Sequence, residues 1–507
     1  MTTLQPRPPY SPEELARLYP EDLQLEHVQI ILRHGERTPV SARFQNAGLA
    51  PFWPYCSVAK QMKSAVLDAD STWTTLDWKR RLESIGPDDE PKWNTGSKGE
   101  VDGVCQPGEL TDRGRDTTLA LGQRIRHLYV DQLGFLPQVL DSDSISTIRL
   151  RATPIPRALE SVQQAFLGLY PRSNREAGLP PPLVVQRAMQ EENLFPNDGA
   201  CRRFGELARA FGERTAQIYN GGSELQYVQR KIGKYMSAES PEVKVDGRPR
   251  LSGIMDTVNS TLAHGKDTRL PSEFYDEQSI KHIDRICVEE WFVGYLENLE
   301  YRKLGIGSLI GDLTQRIVEH ATSSGSISHD SRLFKMSLAG AHDTTVAACL
   351  AALGAFSIEN DRWPKYTSSL AFELFKKAGK PRPADTGPNG AVWPQQSKTW
   401  WSYFFSSSKT SQPTSARSPL SEWPETERRR LDDYYVRIRY NDQPVSIPLC
   451  RPSGHHYGDD ESICTLAAFK EAADSITPRN WKAECSMNIG KSPFEPGASK
   501  VQRPPGL

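Results

Sequence analysis

The chain has 507 residues, with 62 Lys and Arg against 63 Asp and Glu, and 37% of it is hydrophobic. That apolar share excludes wholesale disorder, and a formal charge of −1 excludes the global basic field that draws nucleic acid or anionic membrane. At about 150 residues per domain the length suggests about three domains, and 38 prolines predict long loops.

Residues 1–23 form a polar, proline-rich tail. They hold no apolar core of a secretory signal, and Glu13, Glu14, Glu21 and Asp22 argue against a mitochondrial transit peptide. No apolar run approaches the roughly 18 residues of a transmembrane helix. A cytoplasmic location is expected, with a mitochondrial one, or secretion if the recorded N-terminus is incomplete, as alternatives. None of the eight cysteines forms a Cys-x-x-Cys pair, so reduced thiols are the default.

His27 to Leu32 is a short apolar run suited to a buried strand, and it ends at Arg33-His34-Gly35. Residues 41–108, rich in Pro, Trp, Gly and charge, are expected to be irregular. Thr111 is a plausible cap for a helix that carries Leu119, Gly122, Ile125 and Tyr129 at helical spacing. Ile145 to Arg151 alternates like a strand, and a second helix runs through Leu159, Val162, Phe166 and Leu169 to Pro171. From 172 to 325 the text is mostly helical. Phe334, Met336 and Leu338 alternate again, and His342-Asp343 opens a helix that stops at Gly354. Ser369–Phe375 and Tyr434–Tyr440 are two further strands. The stretch 377–428 between them is expected to hold a disordered insertion, although it contains Trp400, Trp401, Tyr403, Phe404 and Phe405.

Strands alternating with helices indicate an α/β sheet, and in such sheets ligands collect at the carboxyl ends of strands. Three polar clusters, 33–39, 151–157 and 340–345, fall at such ends. The first, Arg33-His34-Gly35-Glu36-Arg37-Thr38-Pro39, sets two phosphate-binding guanidinium forks around one imidazole. A neutral imidazole nitrogen can attack phosphorus, and Gly35 would let the backbone turn beside an anion. In the second, His342 and Asp343 open a helix whose N-terminus favours an anion, with Asp343 suited to protonating a leaving alkoxide.

The first cluster matches R-H-G-x-R-x-P, the signature of the histidine acid phosphatase family. A chance match in a chain this long is on the order of 10⁻⁴. His342-Asp343-Thr344-Thr345 resembles the family's second signature. Arg151-Ala152-Thr153-Pro154-Ile155-Pro156-Arg157 resembles its R-S-T-D-x-x-R segment, departing from it at Ala152 and Pro154. Leu110-Thr111-x-x-Gly114 resembles its first helix, and the resemblance covers roughly 25–170 and 330–480.

The resemblance implies a three-layer α/β sandwich with a central mixed, mostly parallel sheet and an inserted helical cap domain. The expected division is a tail at 1–23, a first α/β core segment at 24–165, the cap at 166–327, a second α/β core segment at 328–485 and a C-terminal tail at 486–507. The implied reaction is hydrolysis of a small-molecule phosphomonoester through a phosphohistidine, with an acidic optimum and without cofactor or metal. His34 is the expected nucleophile, Arg33, Arg37 and Arg151 the phosphate clamp, His342 a stabiliser of the transition state and Asp343 the general acid. Arg157 matches an arginine usually assigned a structural role. Ala152 and Pro154 leave open a module that binds phosphorylated ligands without turnover, and phytase-like and mutase-like activities rank behind the acid phosphatase. Nucleic-acid binding and a membrane span are not expected, and the oligomeric state is left open.

Other patterns carry less. Gly305, Gly307 and Gly311 lack dinucleotide-loop spacing. His455, His456, Asp459, Asp460 and Glu461 crowd one polar loop without metal-ligand spacing. Asn259-Ser260-Thr261 is a glycosylation sequon that matters only in a secreted protein, and Cys450 and Cys464 would pair only in an oxidising compartment.

Overall fold

The computed structural model describes residues 8–322, 334–359, 361–378 and 415–494. Where the sequence suggests only a polar tail, α1 (Pro12–Leu18) forms, closed by a capping box between Ser11 and Glu14. It docks for a physical reason. Glu373 is fully buried and accepts from the hydroxyls of Tyr19 and Tyr129, each at 2.7 Å, and from Arg437 Nε at 2.9 Å. Arg437 in turn donates to the Leu18 carbonyl. A buried carboxylate needs such partners, and the N-terminal segment supplies one of them.

β1 (Leu23–Arg33) follows. Its Val28, Ile30 and Leu32 point into one apolar cluster and Ile31 into the other, the period of two expected of a strand covered on both faces. Residues 41–108 are not irregular. They carry two hairpins, β2 (Met62–Leu67) with β3 (Trp73–Trp78) and β4 (Glu83–Ile85) with β5 (Pro91–Trp93), above a base closed by the Cys56–Cys105 disulfide. β3 is exposed along its whole length, so no buried face imposed an alternation that sequence could reveal.

α2 (Asp112–Arg126) begins at Thr111, whose hydroxyl accepts from the Gly114 N–H at 3.3 Å. Then come β6 (Ile148–Ala152), α3 (Pro156–Leu169) and the two-residue edge strand β7 (Val184–Val185). The next stretch is helical: α4 (Arg202–Tyr219), α5 (Ser223–Ile232), α6 (Leu251–Ala263), α7 (Glu277–Glu297), α8 (Leu299–Arg302) and α9 (Ser308–Thr322). β8 (Met336–Ala341) leads into α10 (Asp343–Ala352), which stops just before Gly354 at φ +75°. β9 (Ser369–Lys377), α11 (Glu425–Arg428), β10 (Tyr434–Tyr440), β11 (Gln443–Val445), β12 (His456–Tyr457), β13 (Asp460–Thr465), α12 (Leu466–Ile476) and α13 (Trp481–Glu484) complete the order of strands and α-helices among the described residues.

The main sheet runs β12-β13-β10-β9-β1-β8-β6-β7, with β11 beside β10. It is mixed. Parallel pairing is confined to β1, β8, β6 and β7, and β9, β10, β11, β13 and β12 pair antiparallel. α2 and α3 cover one face through Leu121, Ile125, Val162 and Phe166, and α9, α10 and α12 cover the other through Ile317, Val346 and Phe469. The result is a three-layer sandwich with the helical segment inserted between β7 and β8.

Residues 379–414, including the Trp400–Phe405 aromatic group, lie outside the described residues. The rest of the expected insertion is docked: Trp423 is buried, and Arg417 reaches Asp312 at 2.6 Å. The C-terminal segment is also held as far as Phe494, which packs edge-on to Phe211 with ring centroids 5.1 Å apart. Six cysteines pair, correcting the expectation of reduced thiols: Cys56–Cys105, Cys201–Cys485 and Cys450–Cys464, with Cα atoms 4.9–5.2 Å apart. The last pair closes the loop of His455 and His456. Among the described residues no helix is long and apolar enough to cross a membrane.

Candidate active site

β1, β8 and β6 are adjacent and parallel, so their carboxyl ends lie side by side. Arg33-His34, His342-Asp343 and Thr153 therefore emerge along one edge, from segments far apart in sequence. Backbone bonds fix the register: the His34 N–H donates to the Ala341 carbonyl at 3.1 Å, and the Thr153 N–H to the Gly340 carbonyl at 3.2 Å.

His34 is buried, and its Nδ1 lies 2.8 Å from the Gly35 carbonyl oxygen. A carbonyl only accepts, so Nδ1 carries the proton and Nε2 carries the lone pair. Burial, then the charges of Arg157, Arg33 and Arg37, hold the ring well below the usual histidine range. His34 is thus neutral, with one nitrogen committed as donor and the other free as nucleophile. His342 lies edge-on to it, with ring centroids 5.5 Å apart. Burial and the neighbouring Arg157 lower its pKa to about 3, and its Nε2 lies 3.1 Å from Thr153 Oγ1.

Arg33 pairs through Nη2 with Asp343 at 2.8 Å, donates through Nη1 to the Pro364 carbonyl and stacks 4.1 Å above the Tyr366 ring. Arg37 reaches Asp256 on α6 at 2.7 Å, and Asp256 also accepts from the Val40 N–H at 3.0 Å. Burial pushes the Asp343 carboxyl up, but Arg33, the Trp363 indole N–H at 2.9 Å and Arg37 outweigh it and hold the group at about 2. Arg157 sits in the first turn of α3 and forms no ion pair among the described residues. The Nε atoms of Arg33, Arg37 and Arg157 are buried without a hydrogen-bond partner there, and a buried donor of this kind calls for an acceptor.

Arg151 lies elsewhere. Its Nη2 contacts Glu192 at 2.5 Å and Asn193 Oδ1 at 2.7 Å. Its Nε is also unpartnered, but the charges that act on it are Glu192, Arg187, Asp312 and Arg316, not the histidine pair. Arg157, not Arg151, is the third guanidinium beside His34.

The model of the histidine phosphatase superfamily, branch 2, matches residues 24–441. The chain belongs to that superfamily. It is 37% identical to a probable acid phosphatase of Schizosaccharomyces pombe over 92% of this chain and 95% of that protein. It is 24% identical to the human lysophosphatidic acid phosphatase type 6 over 70% of this chain and 74% of that one. Among solved structures, the Hafnia alvei phytase in complex with tartrate shares the fold at a TM-score of 0.53 and 14% identity, covering 92% of this chain and 99% of that chain.

This branch 2 histidine phosphatase uses Gly35 differently from the sequence expectation. The residue has no positive φ. Instead, a Cβ there would stand 2.2 Å from the Gly114 carbonyl oxygen, so the catalytic loop lies directly on the first turn of α2. Ser161 accepts a hydrogen bond at its Oγ from the Gly35 N–H at 3.1 Å. Sequence reasoning missed Asp256, Trp363 and Tyr366, which come from regions without local motif. Arg157 had a usable signal: it opens a helix at a carboxyl strand end, whereas Arg151 lies inside its strand.

Proposed function

We propose that the protein hydrolyses phosphomonoesters at acidic pH through a phosphohistidine on His34. The observation that carries this reading is the fixed tautomer of His34 beneath three guanidinium groups with unpartnered Nε donors. Arg33, Arg37 and Arg157 hold the phosphoryl oxygens and balance the charge that spreads over them during transfer. His34 Nε2 forms the P–N bond as the ester P–O bond breaks. His342, neutral and beside the phosphoryl group, donates to one of its oxygens.

The proton for the leaving oxygen needs a source, because Asp343 is ionised in the resting site. A phosphomonoester monoanion carries it: the second phosphate pKa is about 6. Once the phosphoryl oxygens sit on the arginines, Asp343 receives that proton and passes it to the departing alkoxide. The carboxylate so regenerated then takes a proton from the water that attacks phosphorus and breaks the P–N bond. Asp343 returns that proton to the departing phosphate, so phosphate leaves with the Asp343 carboxylate and neutral His34 both restored.

The departures from the family's third segment do not favour binding without turnover. Ala152 packs in the α2–α3 core, and Thr153 still reaches His342. The three cysteine pairs favour an oxidising compartment over the cytoplasmic location expected from the N-terminal residues. The decisive experiment measures phosphate release from p-nitrophenyl phosphate between pH 4 and 8, with EDTA present, for wild type and His34→Ala. Activity in the first and none in the second is expected. Activity surviving in His34→Ala overturns the nucleophile.

A further inference from the structure

A cavity of about 680 Å³ opens at the β7 edge of the sheet, between β6, α3 and α9, and none of the His34-site residues lines it. The volume lies within the range of small-molecule sites. One wall is apolar. It includes Phe166, Phe334 and Leu183, the last 79% exposed, and it is stiffened by the Pro180-Pro181-Pro182 run. The same lining is cationic beside these residues, with Arg149, Arg187 and Arg316.

The carboxylates there, Asp312 and Glu319, offset that charge only in part. Asp312 is shared by Arg187 and Arg417, each at 2.6 Å, and by Asn193 Nδ2 at 3.0 Å. Glu319 accepts from Gln315 at 2.8 Å and acts on Arg316 through its charge, less strongly than Arg149 does. Arg149 and Arg316 form no ion pair among the described residues. The Arg149 guanidinium carbon lies 5.5 Å from the centre of the Phe334 ring. Burial, then the mutual repulsion of Arg149 and Arg316, depresses Arg316 to about 10. Two half-buried guanidinium groups that repel each other beside an apolar wall are stabilised by an anion between them.

We propose that this cavity binds an anionic amphiphile, its carboxylate or phosphate-type head between Arg149 and Arg316 and its apolar chain along Phe166, Leu183 and Phe334. Such a ligand satisfies both parts of the lining at once, whereas free inorganic phosphate leaves the apolar wall wet and a neutral lipid leaves the arginines unpaired. The site is separate from the one that binds the substrate phosphoryl group, and it does not depend on the proposed reaction.

Titration calorimetry of the full chain with dodecanoate and with dodecylphosphonate, in saturating inorganic phosphate to fill the His34 site, tests the proposal. One equivalent of at least one of the two is expected to bind, and the tighter of them identifies the head group. The Arg149→Gln/Arg316→Gln variant is expected to bind about tenfold or more weakly, one charge-assisted contact or better, while hydrolysing p-nitrophenyl phosphate as wild type does. If that variant does not fold, Leu183→Glu at the exposed mouth is expected to weaken binding in the same way. Binding unchanged in both variants, dodecanol binding as tightly as dodecanoate, or no binding of either anion each overturns the proposal.

Discussion

Gly35 of the catalytic loop and Gly114 of α2 meet backbone to backbone: a Cβ on Gly114 would lie 2.1 Å from the Glu36 carbonyl oxygen, and one on Gly35 would lie 2.2 Å from that of Gly114. No flexible side chain is available to give way. Gly114→Ala is expected to push the loop outward and displace His34 by a sizeable fraction of an ångström. A shift of that size costs about 100-fold in rate, while the overpacking costs roughly 1–3 kcal/mol. Gly212→Ala in α4 meets nothing within 4 Å and serves as the control, expected to be neutral or stabilising by up to about 1 kcal/mol. Thermal melts and kcat for the two variants decide the matter. Equal behaviour removes the contact from any role in activity.

The pH profile is expected to report the substrate rather than the free enzyme. Asp343 at about 2 and His342 at about 3 both lie below the working range. Above pH 4 each is therefore already deprotonated, and His34 is neutral. Asp343 and His342 therefore do not titrate between pH 4 and 8 in the free site, and burial with the neighbouring arginines keeps His34 well below the usual histidine range. The fall in kcat/KM with rising pH then follows loss of the phosphomonoester monoanion near pH 6, and the limb moves with the second pKa of the ester when alkyl and aryl phosphates are compared. A limb that stays fixed across esters assigns it to the protein instead.

Arg157→Ala and Arg151→Ala should separate catalysis from stability. Without Arg157, the phosphoryl group loses one clamp and His34 its strongest neighbouring charge. kcat/KM is expected to fall by about 10²–10³ with little change in melting temperature. Without Arg151, the buried Glu192 carboxylate keeps the Asn193 and Leu194 N–H groups but loses its counter-charge, at a cost of about 3–5 kcal/mol. That loss appears in denaturant unfolding more than in the kinetics of the folded fraction. The reverse pattern restores the assignment expected from the sequence.

Much of this site was legible beforehand, for reasons that can be traced. Arg33, His34, Arg37, His342 and Asp343 lie in contiguous motifs at strand ends, and the pairing of β1 with β8 brings the two motifs together. Thr111 caps α2 where its side chain and the following periodicity said it should. The misjudged regions depend on partners distant in sequence. α1 is held by Glu373 and Arg437, and Arg37 is tethered by Asp256 on α6. The hairpins of 41–108 bury too little to imprint a pattern. Arg151 and Arg157 were exchanged because strand and helix send side chains from the same short segment to different places.

The Cys201–Cys485 disulfide joins the start of α4 to the C-terminal segment across 284 residues. Replacing both cysteines with serine is expected to cost about 2–5 kcal/mol, and dithiothreitol is expected to lower the melting temperature of wild type but leave that of the variant less affected. Identical melts with and without reductant exclude a stabilising role for the cysteine pairs.

The adjacency of β1 and β8 also sets a timetable. Roughly 300 residues separate Arg33 from its partner Asp343, and at about 5–20 residues per second a ribosome needs about 15–60 s to cover them. During that interval every arginine of the clamp has been made, yet the proton carrier and the neighbouring strand have not. On the proposed mechanism the nascent chain is catalytically silent until the last third emerges, and any fragment that ends before β8 is expected to be inactive for want of His342 and Asp343.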